Sequence, residues 1–269
     1  GGNQDQNLVM IDGIPIYNMN HMFGFYSIFN SEGINSINIT KSGFSARQGG
    51  RLSGITDIVM KEGNTNSIHG IYMNSLLGLT LNLEGPLSRD GRTTLSIAAR
   101  RSDWDLLFLR AISTRDNKLI YTFYDLNVKV GHRIDKKNKL FFSIYSNRDR
   151  LYIFNRDKDT ILDSSGLVNN VTTNEDGLDI RWGNFASSVK WNKVINPKLF
   201  SSLTLAYSQY KSQISLEYAQ VIDSANTEDR SEINFKYYNY IRDFTARADY
   251  DYMLDRKNTL HFGAFGSFK

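Results

Sequence analysis

The sequence predicts a mainly β protein: a transmembrane antiparallel up-and-down β-barrel, partly present as about 8–9 strands, preceded by a small Gly-rich module. Three observations carry this prediction. From Ser67 onward, apolar residues recur with a period of two. Several alternating runs reach 12 to 20 residues, where globular strands have about 5–6. Short polar turns also alternate with long irregular stretches, as they do in barrels that cross a bacterial outer membrane.

The first module is set apart by composition. Half of the 20 glycines lie in the first 65 residues, which hold only six of the 34 aromatics. The shift marks a boundary near 62–67. NLVMIDG, a turn through Gly13-Ile14-Pro15, INSINITKSG and ITDIVMKEG read as short strands joined by turns, giving a small mixed sheet. ARQGGRLSG (46–54) is rich in glycine, yet it leads into the β-branched ITDIV. A phosphate-binding loop needs Lys-Ser/Thr after its last glycine and a helix to follow, so that reading is rejected.

The strands come next. In FYDLNVKVGHRI, Leu126, Val128 and Val130 share one face, and Asp125, Asn127 and Lys129 the other. In YYNYIRDFTARADYDYML, Phe244, Ala246 and Ala248 oppose Asp243, Thr245 and Arg247. LTLNLEG and KLFSSLTLAY alternate in the same way. A tilted strand crosses a bilayer in about 9–11 residues. The apolar faces are therefore expected toward lipid and the polar faces toward a lumen. Short turns fall at 85–91, 135–138, 196–198 and 255–258, and long loops are expected over 102–121, 154–178 and 219–231. A soluble sandwich or propeller would have shorter strands and no such alternation of connections.

Composition narrows the function. With 32 basic and 28 acidic residues and no basic block, nucleic acid is not favoured as a partner. The absence of cysteine removes disulfides, thiolate metal sites and thiol catalysis together. No apolar run approaches the length of a membrane helix, which leaves a strand barrel open. Four scattered histidines lack metal-ligand spacing. No nucleophile, base and acid set emerges, so an enzyme is disfavoured.

VMIDGIPIYN, SEGINSINITKSGFSARQGG and ITDIVMKEG together resemble the second half of the plug domain of TonB-dependent outer-membrane receptors, in the variant of Bacteroidota. LEGPL, ARR and FYDLN are similar to the first barrel strands of that family. The resemblance implies that residues 1–64 are the C-terminal half of a small α/β plug domain and 65–269 the N-terminal portion of the barrel. It implies a receptor in the cell outer membrane that imports a scarce nutrient, whether ferric siderophore, cobalamin, oligosaccharide or peptide. The partners implied are a TonB-type periplasmic energy transducer, the external ligand, outer-membrane lipid and a surface lipoprotein, with no cofactor. The alternative is a plugged structural or assembly subunit that transports nothing. Nine strands cannot close around a plug, so a longer parent chain is expected.

Candidate sites follow from this frame. In YNMNHMFGFYSIFN, Tyr17, Asn18, His21, Phe23 and Phe25 would form an aromatic and polar ligand surface, or would pack the plug on the barrel wall. Lys41, Arg47 and Arg51 could anchor the plug on lumen carboxylates, with Glu84, Asp125 and Asp249 as local candidates. Trp104, Leu107, Phe108 and Ala111 recur at helical spacing, with Ser102 or Asp103 as a cap. Arg148, Asp149 and Arg150 near a strand top could meet an anionic ligand, although a solvated charge cluster is the plainer reading.

Overall fold

The computed structural model describes residues 6–18, 20–41, 53–75, 78–105, 109–162, 168–224 and 227–269. Arg47 and Arg51 lie outside these residues, as do Leu107 and Phe108. The N-terminal module has strands β1 (Asn7–Ile11), β2 (Ile14–Ile16), β3 (Asn20–His21), β4 (Tyr26–Ser27), β5 (Ile34–Thr40) and β6 (Gly54–Met60). Four of them form a mixed sheet in the order β2-β1-β6-β5, with β1 parallel to β6. The β1–β2 hairpin turns on Asp12-Gly13, with φ of 51° and 83°. Positive φ at both central residues is the hairpin geometry that Asp-Gly favours. Among its described residues the module contains two 3-10 turns and no α-helix.

Nine strands then follow: β7 (His69–Ser75), β8 (Gly78–Pro86), β9 (Thr93–Arg101), β10 (Asn117–Arg133), β11 (Asn138–Leu162), β12 (Val168–Asn196), β13 (Leu199–Ser224), β14 (Thr227–Met253) and β15 (Thr259–Phe268). They pair in simple chain order as one open antiparallel sheet with β7 and β15 at its edges. Tight turns of the same chemistry join β10 to β11 and β14 to β15. Asp135 accepts backbone N–H bonds from Lys137 and Asn138, and Asp255 does the same with Lys257 and Asn258. At Gly78, φ is +132° and a Cβ would sit 2.1 Å from the Arg101 carbonyl oxygen, so only glycine fits there.

Two of the expected long loops are not loops. Strands β11 to β14 run 25 to 29 residues, carrying the ladder through 154–162, 168–178, 219–224 and 227–231. Polar cross-strand pairs hold the far ends of these hairpins together. Arg156 meets Glu175 at 2.6 Å, and the Gln220 amide donates to Asn174 at 3.0 Å. Sequence reading stopped these strands where apolar alternation faded, but backbone pairing continues with polar pairs on the ladder. The 102–121 stretch contains a short helical turn, α1 (Arg110–Ile112). The Ser102 Oγ accepts the Phe123 N–H at 2.9 Å.

Register fixes the two faces. The row Val130, Phe142, Val189, Leu205, Ala246 lies on the outward face. The adjacent row Lys129, Ser143, Ser188, Ala206, Thr245 lies on the other face, under the N-terminal module. That inner face is built from small and polar side chains, which lets the module's backbone approach closely. Val9, Ile11, Ile14, Ile16, Ile28, Ile58 and Met60 accordingly share one buried cluster with Tyr145, Ala186 and Ala206 of the sheet. The core therefore lies between the module and the sheet.

Candidate functional site

The site is the joint between the N-terminal module and the inner face of the sheet. His21 sits at its centre, with 0% of its surface exposed. The β1–β2 hairpin and the short β3–β4 pair carry it inward, and its ring stacks on Phe123 with centroids 4.1 Å apart. Period-two pairing puts Asp125 of β10 and Asp149 of β11 on the same inner face. Nδ1 of His21 lies 2.6 Å from Asp149 Oδ1, and Nε2 lies 2.8 Å from Asp125 Oδ1.

Both partners of the ring are carboxylate oxygens, which accept but cannot donate when ionised. Only the imidazolium can donate to both. Burial alone pushes His21 down, but the hydrogen bonds and charges of Asp125 and Asp149 outweigh it and raise its pKa above the ordinary value. The two carboxylates are satisfied from other sides as well. Arg100 binds Asp125 through Nε at 2.7 Å, donates to the Ser27 carbonyl at 2.7 Å and lies over the Tyr26 ring at 4.5 Å. The Tyr121 hydroxyl donates to Asp149 and accepts the Met22 N–H at 2.7 Å. Each charge in this buried chain is paired, as buried charges must be.

A second buried pair lies nearer the short turns. Lys129 Nζ is 2.8 Å from Asp12 Oδ1 and 3.0 Å from the Met60 carbonyl oxygen. Asp12 also accepts the Met60 N–H at 3.2 Å. The β1–β2 turn that sets its positive φ thereby aims its carboxylate at the sheet. Further contacts spread the joint across β12 to β14. Ser208 donates to the Pro15 carbonyl at 2.6 Å, the Asn184 amide to the Asn18 carbonyl at 2.8 Å, and the Tyr17 hydroxyl to Asp243 at 2.6 Å.

Of the residues that the sequence singled out, Tyr17 and His21 are turned onto the sheet, and Asn18 meets it through its backbone carbonyl. Phe23 and Phe25 project with 67% and 88% of their surface exposed, Phe23 lying 4.9 Å from the Trp182 ring. Lys41 is exposed, and neither it nor Glu84 has an ion-pair partner among the described residues. Asp125 is engaged by His21 and Arg100. Sequence reading missed Asp12, Lys129, Asp149, Arg100 and Tyr121 as anchors. Asp125 and Lys129 share the polar face of one alternating strand, which was the available signal.

The small N-terminal module covers the polar face of one open antiparallel sheet. Residues 1–55 match the family model described as TonB-dependent Receptor Plug Domain. The module is thus similar in sequence to a receptor plug, and a nine-stranded antiparallel sheet follows it. No curated protein sequence matches it. Among solved structures it is similar to a ferric enterobactin receptor (PfeA) in complex with BCV-L6, at 14% identity and a TM-score of 0.44, covering 98% of this chain and 50% of that one. It is also similar to the siderophore receptor PirA from Acinetobacter baumannii, at 13% identity and a TM-score of 0.43, with the same coverage. The chain spans about half the length of these structures.

Proposed function

We propose that this chain belongs to an outer-membrane receptor that takes up a scarce nutrient with energy passed on by a TonB-type periplasmic partner. In this reading residues 1–64 are plug and 65–269 barrel, and the outward apolar rows face outer-membrane lipid. The plug match over residues 1–55 carries the reading. A plug anchored by a few buried ion pairs also suits a part that must hold firm at rest and shift when pulled. Phe23, exposed beside Trp182, and the exposed Phe25 are the best-placed aromatics for an external ligand; Tyr17, Asn18 and His21 would support them from the barrel side.

The test is uptake by cells carrying the full-length receptor, with labelled ferric siderophore, cobalamin, oligosaccharide and peptide supplied in turn. Import of one class, lost when the TonB-type partner is deleted, supports the proposal. A receptor that reaches the membrane folded yet imports none of them favours a structural or assembly subunit.

A further inference from the structure

The outward face carries a basic notch that the plug joint does not use. Across the ladder Tyr124 opposes Arg148, Arg148 opposes Gly183, Gly183 opposes Lys211 and Lys211 opposes Tyr240. Directly opposed residues share a face, so two cations flank a glycine with a tyrosine at each end. The glycine opens a notch of about 210 Å³, also lined by Arg181, Phe185 and Gln213. A Cβ at Gly183 would lie 2.2 Å from the Asn147 carbonyl oxygen, so backbone packing keeps the floor bare.

The charges in the notch are not balanced. Arg181 is 2.5 Å from Asp179, which also takes Arg150 at 2.9 Å. Arg148 and Lys211 are exposed and have no carboxylate partner among the described residues. Asp149, between the two arginines in sequence, points to the opposite face and is buried in the plug joint.

Its depth is also informative. Arg148 lies about ten residues along β11 from the short turn at Asn138, close to the ~9–11 residues of one crossing. Just below are the rings of Phe185, Tyr207 and Phe244, with successive centroids 6.3 and 4.7 Å apart. Below these runs the apolar row through Phe142, Val189 and Leu205.

We propose that this notch binds the phosphorylated headgroup of an outer-leaflet lipid, with its acyl chains lying on the apolar rows beneath. The proposal rests on reading these strands as membrane-spanning. An arginine fork can grip phosphate oxygens in pairs while the lysine supplies a point charge. Apolar surface continuous with the notch rewards an anion that carries acyl chains over one free in solution.

The test uses the full-length receptor in phosphatidylcholine vesicles doped with a phosphorylated glycolipid, or with the same glycolipid after dephosphorylation. Retained lipid is read by native mass spectrometry after extraction. Wild type should prefer the phosphorylated form roughly thirtyfold, given two cations at an anionic surface. Arg148→Gln with Lys211→Gln should bring that preference close to parity, while Arg148→Lys should keep most of it. Equal retention by wild type and the double variant overturns the notch, and displacement by inorganic phosphate alone overturns lipid as its occupant. Insertion is followed separately by protease protection. A receptor that fails to insert overturns the membrane reading itself, whereas an inserted receptor without preference overturns only the notch.

Discussion

Nδ1 of His21 lies 2.6 Å from Oδ1 of Asp149, although 128 residues separate the two in the chain. With Asp125 at 2.8 Å on the other nitrogen, the ring is held between two carboxylates of the sheet. A neutral imidazole can donate to only one of them and would turn a lone pair toward the other. The joint is therefore built around a charged histidine.

This makes the joint sensitive to pH. The folded pKa of His21 is raised above the ordinary value of about 6.5. Its stabilisation is therefore fully present below about pH 6.5 and is lost as pH rises through the higher folded value. Amide protection of residues 17–30 in the full-length receptor, corrected for base-catalysed intrinsic exchange, should fall as the solution is taken from mildly acidic to alkaline. His21→Gln should flatten that dependence. An unchanged pH profile in the variant would show that His21 does not carry it.

The Lys129–Asp12 pair yields a stability cycle. Both side chains are about 5% exposed, so removing one leaves the other charge buried and unpaired. Lys129→Met alone should cost roughly 3–5 kcal/mol. Adding Asp12→Asn removes the orphaned charge, keeps a residue that tolerates positive φ, and should recover part of the loss. Chemical denaturation of the receptor and its three variants measures the cycle. A double variant no more stable than Lys129→Met would mean that the pair is not coupled.

Much of the sheet was legible in the sequence because a period-two pattern repeats on β10, β13 and β14, where Leu126 to Val130, Leu203 to Leu205 and Phe244 to Ala248 face outward. The far halves of the hairpins were not. Residues such as Arg156 and Glu175 pair across strands without apolar alternation, so polar segments looked like loops. The plug strands were legible through the Asp-Gly turn and the β-branched runs around it. The joint was harder to read. Glycine and arginine content drew attention to 46–54, whereas the anchors found among the described residues are Asp12 on a turn, His21 in an aromatic loop and single charges within strands. Nothing local to those residues marks them, because what pairs them is register across more than a hundred residues.

The faces of the strands predict an asymmetry. Leu205 is 65% exposed on the outward face, while Thr245 belongs to the inner row. Leu205→Arg should cost roughly 2–4 kcal/mol in a bilayer, the range for a charge near the midplane, and Thr245→Arg much less. Folding of the full-length receptor into lipid vesicles, titrated with denaturant, gives both values. Equal costs would contradict the assignment of faces.

The central claim is that the described residues of the N-terminal module, 7–18, 20–41 and 53–60, sit on the inner face of these strands, and cross-linking in intact membranes tests it most directly. The Tyr17 hydroxyl lies 2.6 Å from Asp243 Oδ2, so cysteines at 17 and 243 should be joined by a short bis-thiosulfonate reagent in the full-length receptor. Cysteines at 17 and 205 should not be joined, because Leu205 faces the other side of the sheet. Efficient linkage of 17 to 243 with none to 205 is the result predicted here. Linkage to 205 at equal yield, or none to 243 while both cysteines react singly, would contradict it.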